Sequence, residues 1–379
     1  MTMNKLDIRS NYTLAVLSVL AILGFILVEN SKVYTTQDWY IEKLQAATLM
    51  KKAEEYLKNL RIEKAIFIDN INDPNETGLI EQEYSQISTG RGSLPVKLST
   101  TNPNFAALIV ELLKDLNVQK GDVVAVCMTG SFPALNIAMY SALQTLEIKP
   151  IFISSTTSST WGANNPDFTW LDMENGLYKS GYFKFRSVAA SIGGNEDIGQ
   201  SLSIKGRQLA LQAIYRNDLE FINGKNLQEN VKKRMNLFEK HSHGKPIKVF
   251  INIGGGVASL GSGANGNAIH SGINKKFLIS KLPDKKGVVL EMFNQGIPVI
   301  HLLRIENLMK KYKLPVNPVP LPEIGYGYLY KVKKYNTTTV AIVSLILLAS
   351  VIFVIIFNKK GHKLGSEILG NINNNVLKL

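Results

Sequence analysis

The sequence predicts an α/β protein in which a largely parallel sheet is layered by helices, flanked by one N-terminal and one C-terminal transmembrane helix. Two observations predict this fold class. Short apolar segments alternate with segments of helical periodicity through the middle of the chain, which is typical of parallel strands covered by helices on both faces. Residues 11–29 and 337–357 are also apolar over a length that suits a bilayer.

The two terminal segments have the composition of membrane-spanning helices. Residues 11–28 and 337–357 contain no charged side chain, and a helix of roughly 20 apolar residues crosses the hydrocarbon core. A cleavable signal peptide is the alternative for the first segment, although no small-x-small cleavage pattern follows it. A buried core helix is the alternative for the second segment.

The tails outside these segments are basic. The basic residues are Lys5 and Arg9 in residues 1–10, and Lys359, Lys360, Lys363 and Lys378 in residues 358–379. Short basic segments tend to stay in the cytoplasm. We therefore expect a two-pass protein of the cell membrane with cytoplasmic tails and an extracytoplasmic domain formed by residues 30–336.

The central region is expected to carry most of the positive charge. The formal net charge of the chain is +13, and the two short tails account for a small part of it. A basic surface attracts polyanions or anionic lipid head groups, with a generally solvated surface as the alternative. A single cysteine, Cys127, lies in an apolar run, which excludes an internal disulfide.

The central region is predicted to begin with a stalk helix and to continue as an alternation of strands and helices. Residues 38–60 show helical spacing of apolar side chains and predict the stalk. Residues 70–103 are rich in turn residues, and residues 121–155 form a β-α-β unit, for which parallel pairing is expected. The remaining predicted elements are helices at 104–116, 203–216 and 226–240, the strands KVFINI and IPVIHLL, a short helix between them, and a proline-rich return at 314–323.

The carboxyl end of the first predicted strand is a candidate binding site. Thr129, Gly130 and Ser131 lie between this strand and a helix, where hydroxyls and free amides suit an anion. Ser131 as a simple helix cap is the alternative. The Gly-x-Ser-x-Gly spacing of a nucleophile elbow is absent.

A second polar segment follows the second strand, over residues 154–175. Trp161 and Trp170 would offer flat walls, while Asp172 and Glu174 would act as an acid/base pair or as ligands of a hard cation. A spacing of two places both carboxylates on one face if the segment is extended. A capped helix start at LDMENGL is the alternative.

Two glycine-containing segments complete the candidate site. Residues 191–199 combine turn residues with Glu196 and Asp197. Gly254, Gly255 and Gly256 follow a strand but lack the Lys-Ser/Thr pair of a nucleotide-binding P-loop. Their amides suit a carboxylate, and close backbone packing without a ligand is the alternative. The histidines have no partner at a recognised metal-binding interval.

Several segments carry a resemblance to a known family. In order, they are TGLIEQEYSQIST, NPNFAALIVELL, GDVVAVCMTGSFPALN, SSTWGANNPDFTWLDME, SIGGNEDIGQSLSIKGR and NIGGGVASLGSG. Together they resemble the poly-gamma-glutamate system proteins over roughly residues 70–330. The run containing WGANN and TWLDME is the most specific part.

The resemblance implies a pathway without implying a mechanism. It suggests a bacterial membrane protein that accompanies the ligase and membrane subunits of poly-gamma-glutamate synthesis, in capsule formation or polymer export. It supplies no catalytic residues, and no cofactor is identified. The expected partners are the polymer, the membrane subunits of its synthase and the lipid bilayer, and no nucleic acid is expected.

Three functional hypotheses follow. The leading hypothesis is an accessory subunit that binds or guides the emerging polycarboxylate, because the central domain is basic and rich in glycines and hydroxyls at its strand ends. The second is a hydrolase or transferase in which Ser131, Asp172 and Glu174 act on the gamma-linked chain. The third is a non-catalytic scaffold that holds the synthase together.

Overall fold

The computed structural model describes residues 10–276 and 286–376, with side chains described up to Lys359. Its contacts divide the chain into two units. The terminal unit contains the chain up to Thr36 and from Lys331 onward, and the sheet unit contains Gln37–Tyr330. The tail charges of the sequence prediction at Lys5, Arg9, Lys360, Lys363 and Lys378 lie outside the described residues or side chains.

Helices account for much of both units. In chain order they are α1 (Asn11–Asn30), α2 (Tyr40–Glu63), α3 (Leu94–Thr100), α4 (Asn104–Asp115), α5 (Pro133–Thr145), α6 (Trp170–Lys179), α7 (Ile204–Arg216), α8 (Leu227–Ser242), α9 (Val257–Leu260), α10 (Gly263–Ala268), α11 (Val288–Asn294), α12 (Glu306–Tyr312) and α13 (Thr337–Val376).

The strands are mostly short. In chain order they are β1 (Val33–Thr36), β2 (Ser88–Gly90), β3 (Val123–Thr129), β4 (Lys149–Ser155), β5 (Ser158–Ser159), β6 (Ala189–Ser191), β7 (Glu220–Phe221), β8 (Ile247–Ile253), β9 (Gly272–Asn274), β10 (Val299–Leu302) and β11 (Lys331–Lys334). A 3₁₀ turn at Asn195–Asp197 precedes α7.

The terminal unit contains two helices that are long and apolar enough to cross a membrane. The mean hydropathy is 2.2 for Asn11–Asn30 and 3.2 for Thr337–Lys359. Within α1 only Thr13 and Gly24 are buried. Since the apolar side chains of both helices face outward, their surfaces differ from that of the core helix of a soluble protein. The two apolar spans of the sequence prediction are thus present as helices.

Close packing and a small ribbon join the two apolar helices. A Cβ atom at Gly24 would lie 2.7 Å from Cγ1 of Val343, so the glycine lets the helices approach closely. Strands β1 and β11 pair antiparallel, from Val33 opposite Lys334 to Thr36 opposite Lys331. The carboxyl end of α1 and the amino end of α13 therefore lie at the same end of the terminal unit.

The sheet unit is built on a seven-stranded sheet with the order β7-β6-β4-β3-β8-β10-β9. Every neighbouring pair is parallel except β9, which is antiparallel to β10. The four strands predicted from apolar runs are its four central neighbours, β4, β3, β8 and β10. The prediction of a largely parallel α/β sheet is confirmed.

Helices cover both faces of this sheet, and the side chains of β3 show why. Val124, Val126 and Met128 belong to the larger core, together with residues of α2, α4 and α5. Val123 and Cys127 belong to the core on the opposite face, together with residues of α8 and α11. Because successive strand residues point to opposite faces, the apolar residues of β3 need cover on both faces, and the whole strand is buried.

The helix predicted as a stalk packs into the core instead. Helix α2 buries Ala46, Ala47, Met50, Ala53 and Leu57 completely, and it contacts α4 and α5. Its apolar positions recur at helical spacing, as predicted, and this stripe covers one face of the sheet unit. Helical periodicity alone does not distinguish a stalk from a core layer.

The strand order creates a crevice between β3 and β8. From β3 the chain crosses through α5 to β4 on one side, and β8 later pairs on the other side of β3. Ligands of open α/β sheets gather at the carboxyl ends of the strands where the order reverses in this way. The carboxyl ends of β3, β4 and β8 are therefore the place to look for a functional site.

Candidate functional site

A cavity of about 380 Å³ opens at the carboxyl ends of β3, β4 and β8. Its volume lies within the range of small-molecule sites, roughly 300–1,000 Å³. Loops of the sheet unit contribute residues to the wall. They lie at residues 89–93, 129–132, 155–159, 193–197, 255–257 and 303–306. Most of the side chains that line it are small or carry hydroxyl groups.

The glycine loop after β8 forms one wall. Gly254 has a φ of +87°, and a Cβ atom there would lie 2.7 Å from Oγ1 of Thr129. Asn252 donates from Nδ2 to the carbonyl oxygen of Gly254 at 2.8 Å, which holds this turn. The backbone N–H groups of Gly255 and Gly256 donate to no acceptor in the part of the chain that the structure describes. Such amides are ready donors to an anion.

The loop after β3 forms the floor. The N–H of Ser131 donates to Oγ1 of Thr129 at 3.2 Å, and Oγ of Ser131 accepts from the N–H of Ser159 at 3.0 Å. A Cβ atom at Gly130 would lie 3.2 Å from the carbonyl oxygen of Thr156. Gly130 therefore permits close packing, while Thr129 and Ser131 line the cavity.

A buried ion pair supports the wall beside β4 and β6. Arg234 donates to Asp197 at 2.7 Å and to Oγ of Ser191 at 2.7 Å, and Ser191 donates to Asp197 at 2.8 Å. Both charged side chains are almost fully buried. Since a buried charge needs a partner, this pair fixes the loop that brings Gly193 and Gly194 to the cavity. Glu196 instead accepts from the N–H of Leu227 at 3.1 Å.

Two arginines at the rim make the cavity attractive to anions. Arg91 and Arg304 line it and are exposed. Arg304 donates to the carbonyl oxygen of Asn267 at 3.1 Å, whereas Arg91 makes no hydrogen bond or ion pair with any described residue. Guanidinium groups match the planar geometry of carboxylates.

Lys97 lies behind the cavity floor and is only 2% exposed. Its Nζ donates to the carbonyl oxygen of Ser131 and, at 3.0 Å, to Oγ of Ser159. The same atom lies 4.7 Å from the centre of the Phe132 ring. Burial lowers the pKa of Lys97 to about 7, because desolvation disfavours the charged ammonium.

The structure does not bring Asp172 and Glu174 to this cavity. Residues 170–179 are helical rather than extended, and Asp172 closes the helix start by accepting from the N–H and hydroxyl of Thr169, each at 2.7 Å. Arg216 pairs with the same carboxylate. The alternative of a capped helix start is therefore what the structure shows, and a local capping box explains it.

Glu174 is fully enclosed in the core. It accepts from Tyr140 and from the hydroxyl of Ser187 at 2.7 Å, and burial raises its pKa. Trp170 is also fully buried, while Trp161 is half-buried, has a φ of 65° and does not line the cavity. The two aromatic walls and the acid/base pair of the sequence prediction are thus placed away from Ser131.

The structure brings together Thr129, Ser131, Gly255 and Gly256 at the cavity, with Gly254 and Gly130 shaping the loops beneath it. Arg91, Lys97 and Arg304 were not among the site residues predicted from the sequence. The Thr-Gly-Arg-Gly sequence at residues 89–92 was a usable signal for Arg91, because glycines beside an arginine leave its guanidinium accessible.

No protein-family model, curated protein or solved structure matches this sequence. Among the described residues, no group of three or more His, Cys, Asp or Glu side chains could hold a metal ion. The cavity offers free amides, hydroxyls and two guanidinium groups, a set that binds carboxylates or similar anions.

The glycine loop yields a matched pair of substitutions. Gly254→Ala should lower the free energy of unfolding by about 1–3 kcal/mol, because alanine is strained at a positive φ and its Cβ would meet Thr129. Gly255→Ala should leave stability within about 0.5 kcal/mol of the wild type, since its Cβ would have no neighbour within 4 Å. Chemical unfolding of the detergent-solubilised chain measures both. Equal losses would contradict this account of the loop.

Proposed function

We propose that the sheet unit binds a carboxylate-bearing chain in the cavity at the β3–β8 crevice, and that this chain is poly-gamma-glutamate. One observation carries the proposal. Exposed Arg91 and Arg304 and the free amides of Gly255 and Gly256 all lie around the same cavity. The resemblance of residues 70–330 to poly-gamma-glutamate system proteins supplies the identity of the polymer.

The chemistry of the cavity suits successive carboxylates better than a single tightly held one. The rim arginines are exposed, and each exposed charge contact contributes only about 0.2–1 kcal/mol. A polymer repeats the same carboxylate along its length, so a departing group is replaced by its neighbour at high local concentration. The expected behaviour is weak binding of short oligomers and stronger binding of long chains.

The two apolar helices place this function at a membrane in our proposal. Basic tails favour a cytoplasmic location for both ends, which leaves residues 30–336 on the outer side. That side is where an exported polycarboxylate emerges, and an accessory subunit there would guide it away from the synthase. A purely structural partner of the synthase is the competing hypothesis, and it requires no affinity for the polymer.

Polymer binding should depend on the cavity and on salt. Arg91→Ala combined with Arg304→Ala should weaken binding of long poly-gamma-glutamate to the full chain in detergent by roughly 2- to 30-fold, using about 0.2–1 kcal/mol for each exposed contact. Gly255→Val should weaken it as well, because the side chain would cover the free amides. Binding should fall steeply with salt, since the Debye length is about 10 Å at 0.1 M. Biolayer interferometry with immobilised polymer measures these effects.

Lys120→Ala removes one exposed positive charge and is the control for Arg91→Ala and Arg304→Ala taken singly. Lys120 is exposed and precedes β3, whereas the cavity lies at the opposite end of that seven-residue strand, about 20 Å away at 3.3 Å per residue. This variant should bind almost as the wild type does. Equal weakening by the control and the double variant, or absence of binding at low salt, would favour the scaffold hypothesis.

The proposed orientation can be tested with one introduced thiol. Cys127 is buried, and burial raises the pKa of its thiol to about 12, so it should react slowly. In intact cells, the Lys120→Cys variant should react with a membrane-impermeant maleimide as readily as in permeabilised cells. Wild-type protein gives the background. Reaction only after permeabilisation would show that the sheet unit faces the cytoplasm.

A further inference from the structure

The buried cations of the sheet unit are not alike. Lys43, Arg61 and Arg234 are each at most 3% exposed, and each forms a salt bridge with a carboxylate. Lys97 is equally buried, at 2% exposed, yet no carboxylate of the described residues lies within salt-bridge distance. An unpaired buried charge is costly, so this side chain is the one suited to lose its proton.

None of the charged side chains that line the cavity compensates the charge of Lys97. The charged side chains that line the cavity are Arg91, Asp197, Arg304 and Glu306. None forms an ion pair with Lys97, and Asp197 is already paired with Arg234. Burial lowers the pKa of Lys97 to about 7, because no carboxylate of the described residues offsets the desolvation of the ammonium. A substantial fraction of this amine is therefore neutral near neutral pH and able to accept a proton.

Lys97 has two hydrogen-bond partners, the carbonyl oxygen of Ser131 and the hydroxyl of Ser159. Oγ of Ser159 lies 3.0 Å from Nζ of Lys97, and Ser159 is one of the residues that line the cavity. The backbone of Ser159 is fixed twice, by the pairing of β5 with β2 and by the bond from its N–H to Oγ of Ser131. Ser131 is thus a positioning residue for Ser159.

Gly92 covers this pair without displacing it. A Cβ atom at Gly92 would lie 2.6 Å from Cε of Lys97 and 3.0 Å from Oγ of Ser159. Any larger residue at this position would force the side chain of Lys97 or of Ser159 to shift. The loop at residues 90–92 can therefore pass over them only with a glycine at residue 92.

We propose that Ser159 is a nucleophile and Lys97 its general base, in a cavity that carries out acyl transfer on an amide of the bound chain. A hydroxyl within hydrogen-bond reach of an amine that titrates near neutrality has the geometry of a serine–lysine pair. The gamma-linked amide as substrate rests on the proposed function. The reactivity of Ser159 does not, because it follows from contacts within this chain.

The reaction balances as a hydrolysis in two steps. Neutral Lys97 takes the proton of Ser159 while Oγ attacks the amide carbonyl carbon. The C–N bond then breaks, the departing amine takes the proton from Lys97, and an ester on Ser159 remains. Water attacks this ester, giving its proton to Lys97. The acid is released, and Lys97 returns a proton to Ser159.

A fluorophosphonate probe tests the pair without any polymer. The full chain in detergent should be labelled at Ser159, with release of fluoride, and mass spectrometry locates the label. The labelling rate should rise with pH through a midpoint of about 7, because the neutral form of Lys97 is the base. Labelling that is absent, that lies on Ser131 instead, or that is independent of pH between 5.5 and 9 would overturn the proposal.

Variants separate a general base from a structural lysine. Lys97→Arg keeps a cation but cannot lose its proton, and it should slow labelling by roughly 10²–10⁴-fold. Lys97→Met should do the same, and Lys120→Met, a change at an exposed site, should label at the wild-type rate. Thermal unfolding identifies the variants that fold. A folded Lys97→Arg or Lys97→Met variant that labels at the wild-type rate would overturn the proposal.

A cysteine in place of Ser159 tests the pair without requiring that the Lys97 variants fold. Ser159→Cys should react with iodoacetamide faster than buried Cys127 does, and its rate should rise with pH through a midpoint below the ordinary cysteine value of about 8.5. A midpoint at or above that value would show that Lys97 does not act on position 159.

Polymer assays distinguish this inference from the proposed function. Ser159→Ala should bind long poly-gamma-glutamate but fail to shorten it, whereas the wild type should do both. Labelling at Ser159 together with absence of polymer binding would support the nucleophile and contradict the proposed function. Wild-type protein that binds the polymer without shortening it would overturn the assigned acyl transfer.

Discussion

The position of β3 between β4 and β8 is the constraint on which the cavity depends. All seven residues of β3 are buried, and the strand pairs in parallel on both sides, with Thr129 opposite Ser155 at its carboxyl end and Met128 opposite Ile253. Because of this register, the hydroxyl groups at the ends of β3 and β4 and the glycine loop after β8 lie at the same edge of the sheet. A one-residue slip would turn every side chain of β3 to the other face and would separate Thr129 from Gly254.

Most of the buried polar groups of the sheet unit are held by structural hydrogen bonds, and a few are free to act. Asp172, Glu174 and Asp197 each have their acceptor positions filled by neighbouring donors. The free amides of Gly255 and Gly256, exposed Arg91 and the unpaired amine of Lys97 are different, because no carboxylate of the described chain satisfies them. An anionic chain that enters the cavity would complete the first three, while Lys97 sits behind the floor and faces Ser159.

The central sheet could be predicted from the sequence, but only part of the site could. Four apolar runs sufficed to predict β3, β4, β8 and β10. The rule that ligands gather at the carboxyl ends of parallel strands made Thr129, Ser131 and the glycines candidates, while their convergence was left open. The short strands β2 and β5 gave no periodic signal, and their pairing across about 70 residues places Arg91 and Lys97. Asp172 was predicted as a site residue, whereas a capping box makes it part of a helix start.

Hydrogen exchange of the full chain with and without a long gamma-linked glutamate polymer, at low salt, tests the central claim most directly. The account predicts slower exchange in three segments that are distant in sequence, at residues 89–93, 254–257 and 303–306, with little change along α8. Residues of all three segments line the cavity, so joint protection identifies it as the binding site. Protection confined to the lysine-rich surface of α8, or no protection in any of the three segments, would contradict the account.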